Sequence, residues 1–456
     1  MWWIRLAAHR QPSLAICAVI SLAIWIFLYL CQIGIRGARC LLSELRVAVV
    51  GAGIIGLAVA YHLEKGGAKV TIIDRDPQGD KASLVNAGGI AVTEVMPASA
   101  PGVWWRVFGW MLDPLGPLTV RATYAPKLLP WLARFAKSGT PREVDRISRA
   151  LAAINARVYE DLIPMLEDVG LSDELHRKGA LTLYETESGY RRDAAEWELK
   201  RSRGIVVEEM TGNEAREMEP ALGPRVCRAV FTPQWSHVSD PKNIVKSMSD
   251  WLVSRGVVIT RGEVCNIVPA STSPLSLQLS GGGAISTDRA VIAAGAWSAL
   301  LARRLGDRAL LESERGYNAT IAAPGITVER QLIFAERKFV ATPLSCGLRI
   351  GGAAEFGGLN AVANFKRSDV LVELAHRYLP NLQSAGATNW AGHRPTTPDT
   401  LPVIGVSKHN PDVFYAFGHG HLGLTQAATT GRLIGELVLH KAPSIDLAPY
   451  AIDRFQ

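Results

Sequence analysis

Thiol and metal chemistry have little to work with in this chain. Its six cysteines, Cys17, Cys31, Cys40, Cys227, Cys265 and Cys346, form no C-x-x-C pair. That argues against a redox dithiol, a zinc site and a disulfide framework, and favours a reducing compartment for the folded body. The ten histidines show no carboxylate- or cysteine-linked ligand spacing, so no metal is expected. Blocks of Lys and Arg are missing too, which excludes the usual footprint of a nucleic-acid binder. Much of the formal charge of +7 is local: residues 1 to 46 carry Arg5, Arg10, Arg36, Arg39 and Arg46 against Glu44 alone. Uncharged runs long enough to cross a bilayer are limited to one, residues 14–35, with no charge over 22 positions. Arginines flank both of its ends, leaving its orientation undecided. It is longer than the apolar core of a cleaved signal peptide and lacks a twin arginine.

What is present points to a nucleotide. Val47 to Val50 is a β-rich apolar run ending at Gly51, and Gly51, Gly53 and Gly56 follow at G-x-G-x-x-G spacing. Ile54 to Lys65 reads as a helix closed by Gly66-Gly67, and a second β-branched run ends at Asp74, 23 residues after Gly51. One glycine makes the tight turn, one admits a pyrophosphate, and one lets the helix pack on the strand. The helix N-terminus offers free N–H groups to the anion, and Asp74 suits a ribose hydroxyl. The turn does not separate NAD from FAD. A second such motif opening a helix is absent, which argues against two nucleotide folds in one chain.

With 456 residues the chain exceeds one ordinary core, and two intimately packed domains are expected. Lys81 to Gly89 is a small-residue loop suited to close backbone approach. Tryptophans and prolines from Pro101 to Ala136 suggest a helical cap, and Arg142 to Val169 a long amphipathic helix. Short strands are expected at Leu181–Tyr184, Gly204–Glu208 and Ala229–Phe231. Ser239-Asp240-Pro241 opens a helix to Ser254. Val257–Ile259, Val264–Val268 and Ala290–Trp297 are expected to return to the nucleotide sheet, with Gly281–Gly283 as a hairpin turn. The β-like segments between Glu314 and Gly358 suggest an inserted antiparallel sheet roofing a cavity.

Three further stretches narrow the reading: the strand end Ala294-Gly295-Ala296-Trp297, the box Gly392-x-Arg394-Pro395-x-Thr397-Pro398-Asp399, and the box Gly418-His-Gly420-x-x-Gly423-Leu-Thr425. Together with the glycine turn they resemble the D-amino-acid oxidase superfamily of FAD amine oxidoreductases. The loop Ser83-x-x-Asn86-Ala87-Gly88-Gly89 and the wording of Pro97 to Arg121 are similar to its bacterial D-amino-acid dehydrogenase branch. The resemblance covers about residues 45 to 450. The leader is a departure, since relatives commonly start at the first strand.

The resemblance implies an α/β fold: a Rossmann-like βαβ domain for FAD, built from residues 45–100, 236–312 and 389–456. An inserted antiparallel-sheet substrate domain is expected from 101–235 and 313–388, and a leader, 1–44, with a transmembrane helix at 14–35. FAD would be held by Gly51, Ala52, Gly53, Ile54, Ile55, Gly56, Asp74, Arg75, Ser83, Asn86, Ala87, Gly88, Val264 and Gly295, and at the flavin end by Gly418, Gly420, Leu422, Gly423, Leu424 and Thr425. Arg394 would grip the substrate carboxylate through two parallel bonds, Tyr317 would assist, and His421 or His419 would help near the flavin. A structural role for Arg394, pairing with Asp399 or Glu355, is the alternative. The implied reaction is oxidation of a D-amino acid to a 2-oxo acid and ammonia, with electrons passed to a quinone or other carrier at the inner membrane and the catalytic body in the cytoplasm. The His421 box also resembles relatives that oxidise D-proline or hydroxy-D-proline. Glycine or sarcosine oxidation and a catalytically silent flavoprotein rank lower.

Overall fold

The computed structural model describes residues 45–99, 116–268 and 274–455. The leader with its apolar run, and most of the Trp-rich stretch from 101 to 115, lie outside the described residues. Among the described residues no helix is long and apolar enough to cross a membrane.

The glycine turn seeds a six-stranded sheet. Arg46–Val50 pairs in parallel with Lys69–Asp74 on one side and Arg289–Ile292 on the other. Val258–Arg261 extends the first flank, and Val413–Phe417 and then Val403–Val406 extend the second. The strands adjoining the turn are buried on both faces and read as continuous β-branched runs, as a parallel sheet covered on both sides requires. Helix Ile54–Lys65 lies against the C-terminal helix Gly423–Val438, and the approach is close: a Cβ on Gly431 would sit 2.4 Å from the Ala58 carbonyl oxygen. Thus the second element of the fold and nearly the last one form one layer.

A nine-stranded sheet forms the other body. Thr388–Thr396 is its edge strand, and Glu312–Ile321 comes next, antiparallel to both Thr388–Thr396 and Gly347–Phe356. Phe339–Leu344, Gln331–Phe334, Ala180–Tyr184, Arg228–Thr232 and Glu208–Thr211 continue it, and Leu118–Val120 is the ninth strand, pairing in parallel with the end of Gly347–Phe356. Two contacts dock the 83–88 loop on this sheet: Asn318 Nδ2 donates to the Val85 carbonyl at 2.7 Å, and Arg349 Nη1 to that of Asn86 at 2.8 Å.

Four expectations need correction. Thr388–Thr396, which carries Arg394, belongs to the nine-stranded sheet and not to the nucleotide domain, because its partner is Glu312–Ile321. Val264–Val268 leaves the nucleotide sheet for a separate three-stranded one, in which Leu275–Leu279 and Ala284–Thr287 flank the expected glycine hairpin. The helix expected from Arg142 to Val169 is two, Pro141–Asn155 and Val158–Asp168. The break follows Asn155, whose buried side chain donates to the Val92 and Glu94 carbonyls and accepts from Gln426. The strand expected at Gly204–Glu208 starts only at Glu208.

Burial holds four imidazoles neutral: His62, His237 and His393 are lowered to about 4, and His419 to about 3. The unfolded chain, with histidines near about 6.5, binds more protons between those values and about 6.5. Their contribution to stability is therefore complete above about pH 6.5 and lost as pH falls. Calorimetry from pH 8 to 4.5 should show a melting temperature that drops below about 6.5, and less steeply in His419→Gln; a flat profile would contradict this.

Candidate active site

A cavity of about 1350 Å³ runs from the glycine turn to the nine-stranded sheet. Gly51, Gly53, Ile54, Ile55, Asp74, Arg75, Ser83, Asn86, Ala87, Gly88, Val264 and Gly295 line it at one end. Gly418, Gly420, His421, Leu422, Gly423, Leu424, Tyr317 and Arg394 line it at the other. Regions some 370 positions apart thus face one space. Ala52, Gly56 and Thr425 stand behind the wall. Ala52 N–H donates to Asp74 Oδ2 at 2.7 Å, and the Thr425 hydroxyl accepts from Ala91 N–H at 2.9 Å. A Cβ on Gly56 would meet the Gly51 carbonyl oxygen at 1.9 Å, so its role is helix-on-turn packing.

The nucleotide end fits a dinucleotide on its own geometry. Gly51 has φ +113 and no room for a Cβ beside Ala293, whereas a Cβ on Gly53 would meet only the Ser83 hydroxyl, at 3.3 Å. Nothing inside the protein therefore demands glycine at 53, and the residue borders the cavity. The helix starting at Ile54 has no cap from its own N-cap residue, Gly53; Ile54 N–H donates to the Ser83 hydroxyl at 3.0 Å, and this positive end borders the cavity, where it suits an anion. Asp74 accepts from Ala52 and Asp76 N–H groups, with Lys81 Nζ at 3.4 Å. An ionised carboxylate has about four acceptor sites, so one more hydroxyl can be bound. Arg75 lies over the Trp297 ring at 3.5 Å.

At the other end strand alternation decides which side chains meet. Glu314 pairs with Arg394 across the strands, Gly316 with Gly392 and Asn318 with Trp390, so these share one face. Arg394 Nη1 donates to Glu314 Oε1 at 3.0 Å, His421 Nε2 donates to the same oxygen at 2.7 Å, and Thr396 Oγ1 donates to Oε2 at 3.1 Å. Burial pushes the Glu314 carboxyl up, but His421 and Arg394 outweigh it and hold the group well below the ordinary carboxylate range. Among the described residues Arg394 Nε and Nη2 have no hydrogen-bond partner, and the guanidinium borders the cavity. Neither Asp399 nor Glu355 is its partner: Asp399 is paired with Arg454, and Glu355 with Arg121.

Tyr317 takes the opposite parity, with Arg315 and His393. Its hydroxyl donates to Glu355 and accepts from Asn364 N–H. It borders the cavity but is not brought to Arg394, in contrast to the assisting role expected from the sequence. His419 is buried against Thr430, and His421, with a side chain 64% exposed, is the histidine that reaches the Arg394 cluster.

Glu314 was not among the residues singled out from sequence. Its one signal is a carboxylate in a strand that is otherwise buried, on the parity of Gly316 and Arg394. The aromatic wall of Trp131, Phe135, Phe356 and Trp390 left no local signal either, because its one helix and two strands come from three distant segments.

Gly316 is the floor under the guanidinium, since a Cβ there would lie 2.3 Å from Arg394 Cζ. Gly316→Ala should push Arg394 aside, raise KM for substrate by an amount worth about 1–3 kcal/mol and keep the flavin, as steady-state kinetics with a flavin spectrum would show. An unchanged KM would remove the contact from the site.

A largely parallel, doubly covered sheet with one antiparallel edge strand, a glycine turn opening on a long cavity, and an arginine at the far end define a dinucleotide-dependent oxidoreductase. More particularly, the chain belongs to the FAD dependent oxidoreductase (DAO) family, whose model matches residues 46–437. It is 34% identical over 416 residues to a D-amino-acid oxidase of Bradyrhizobium diazoefficiens, covering 90% of this chain and 98% of that protein. A D-amino acid dehydrogenase of Sinorhizobium medicae is 28% identical, covering 90% and 100% respectively. Among solved structures, glycine oxidase from Geobacillus kaustophilus is similar, with TM-score 0.69, 25% identity and coverage of 90% and 99%. The cofactor is FAD, and the residues that line the glycine-turn end of the cavity would hold it.

Proposed function

We propose that this protein oxidises D-amino acids to 2-oxo acids and ammonia, and that Arg394 seats the substrate carboxylate. The observation that carries the proposal is Arg394 itself, tethered by one nitrogen to a buried carboxylate while, among the described residues, its two others have no partner beside the cavity. The names of the two relatives support the substrate class. Bound FAD supplies a two-electron acceptor for the hydrogen on Cα. The chain contributes position: Arg394 fixes the carboxylate, its anchor Glu314 fixes Arg394, and the aromatic wall excludes water from the reacting carbon. Once the bound ammonium has given one proton to solvent, the nitrogen lone pair closes to an imine as the Cα hydrogen leaves as hydride, and water hydrolyses the imine to the 2-oxo acid and ammonia. The N-terminus of helix Gly423–Val438, whose first residues border the cavity, offers positive dipole where charge accumulates.

Electrons then go to a quinone or another carrier. The dehydrogenase name of one relative supports that acceptor, as does the uncharged run at 14–35, which would tether the body to the inner membrane on its cytoplasmic side. A second reading, oxidation of D-proline or hydroxy-D-proline, draws on the His421 box alone. Trp390 and Phe356 beside the cavity favour a substrate bulkier than glycine. Anaerobic bleaching of the flavin by D-alanine, D-proline, hydroxy-D-proline, sarcosine and glycine orders these readings. Reduction only by glycine or sarcosine would refute the proposal.

A further inference from the structure

We infer that Glu314 is the group that recognises the substrate's amino nitrogen, so that Glu314 and Arg394 together form a dipolar clamp for an α-amino acid zwitterion. The inference rests on the amino-acid reading above and adds to it a residue and a selection rule.

The geometry leaves little alternative for a ligand seated on Arg394. Glu314 Oε1 is 3.0 Å from Arg394 Nη1, and the two side chains share one face of the sheet. In an α-amino acid the nitrogen is only two bonds from the carboxylate carbon. Any such ligand held by the guanidinium therefore brings its ammonium within reach of the neighbouring carboxylate. Glu314 accepts three hydrogen bonds, from Arg394, His421 and Thr396. A carboxylate has about four acceptor sites, which leaves one for an ammonium N–H.

Charge makes the same point. The Glu314 side chain is 9% exposed, so its charge is weakly screened. A ligand with a carboxylate but no amine must share Arg394 with this second anion and offers it nothing in return. An ammonium cancels that repulsion. The pair thus selects amine-bearing acids over simple carboxylates, which Arg394 alone cannot do. It also discriminates substrate from product: a 2-oxo acid has lost the nitrogen and meets Glu314 as a like charge, so the residue that favours entry also favours departure.

D-alanine and propanoate, which differ only in the amine, test this with the FAD-loaded enzyme. The dissociation constant of D-alanine comes from the concentration dependence of anaerobic flavin reduction, and that of propanoate from calorimetry. In the wild type D-alanine should bind at least about tenfold more tightly, the factor expected of one hydrogen bond to a charged group. In Glu314→Gln the preference should collapse or invert, with D-alanine weakened and propanoate and pyruvate both strengthened. Parallel changes for all three ligands would overturn the inference and leave the amino-acid reading standing. Should the Gln variant not fold, the wild-type ratio decides, and propanoate binding as tightly as D-alanine overturns it. If D-alanine neither binds nor reduces the wild-type flavin while propanoate binds, both the inference and the reading fall.

Discussion

Arg394→Ala should yield a yellow, FAD-loaded protein whose kcat/KM on D-amino acids is lower by about 2–5 kcal/mol of transition-state stabilisation. Two losses combine. The substrate carboxylate loses its two-pronged partner, and the buried Glu314 loses the cation 3.0 Å away. A carboxylate stripped of its partner costs more than the pair contributed, so the site itself relaxes. The residues that would hold FAD begin at Gly51, at the other end of the cavity, so the cofactor should remain. Arg394→Lys should recover only part of the activity, since an ammonium offers a point charge in place of the planar fork that can hold Glu314 and substrate together. Steady-state kinetics with the flavin absorbance as loading control measures both; an Ala variant with normal kcat/KM would take Arg394 out of catalysis.

The parts of this site that were legible in the sequence are those where local backbone chemistry leaves a mark. Gly51, Gly53 and Gly56 fix a turn within six residues, and Asp74 closes the next strand, so the nucleotide end could be read without any tertiary knowledge. Asp240 as the cap of Pro241–Ser254 and the Gly281–Gly283 hairpin are legible for the same reason. Arg394 was found through the box around it, but its sheet was not. Membership of Thr388–Thr396 in the substrate sheet depends on pairing with Glu312–Ile321, many residues away, and nothing local encodes it. That register also puts Tyr317 on the far face, toward Glu355, and puts Glu314 beside Arg394. A one-residue slip would exchange the two faces, so the residues around Tyr317 do not by themselves reveal which side chain of this strand meets Arg394. Asn155 shows the same limit in a helix, where a bond to Gln426, 271 positions away, accompanies a break that periodicity cannot reveal.

Gly51→Ala and Gly53→Ala should both lower FAD occupancy, but by different routes that the apoprotein separates. At Gly51 the backbone has φ +113, and an added Cβ would sit 2.4 Å from the Ala293 carbonyl oxygen. Neither neighbour can yield, because Gly51 N–H donates to Ile73 O at 2.8 Å and Ala293 N–H donates to Val50 O at 2.9 Å, locking the turn between two parallel strands. Backbone strain and overpacking each cost about 1–3 kcal/mol, so Gly51→Ala should destabilise even the apoprotein by about 2–6 kcal/mol. Gly53 has φ −77, a conformation alanine adopts freely, and its Cβ would meet only the Ser83 hydroxyl. Apoprotein carrying Gly53→Ala should melt within about 1 kcal/mol of wild type, because its methyl group projects where the pyrophosphate needs to approach and not into packed protein. Thermal melts of the two apoproteins beside their FAD affinities read the distinction. If Gly53→Ala binds FAD as the wild type does, the close approach assigned to that residue is wrong, whatever the fate of Gly51→Ala.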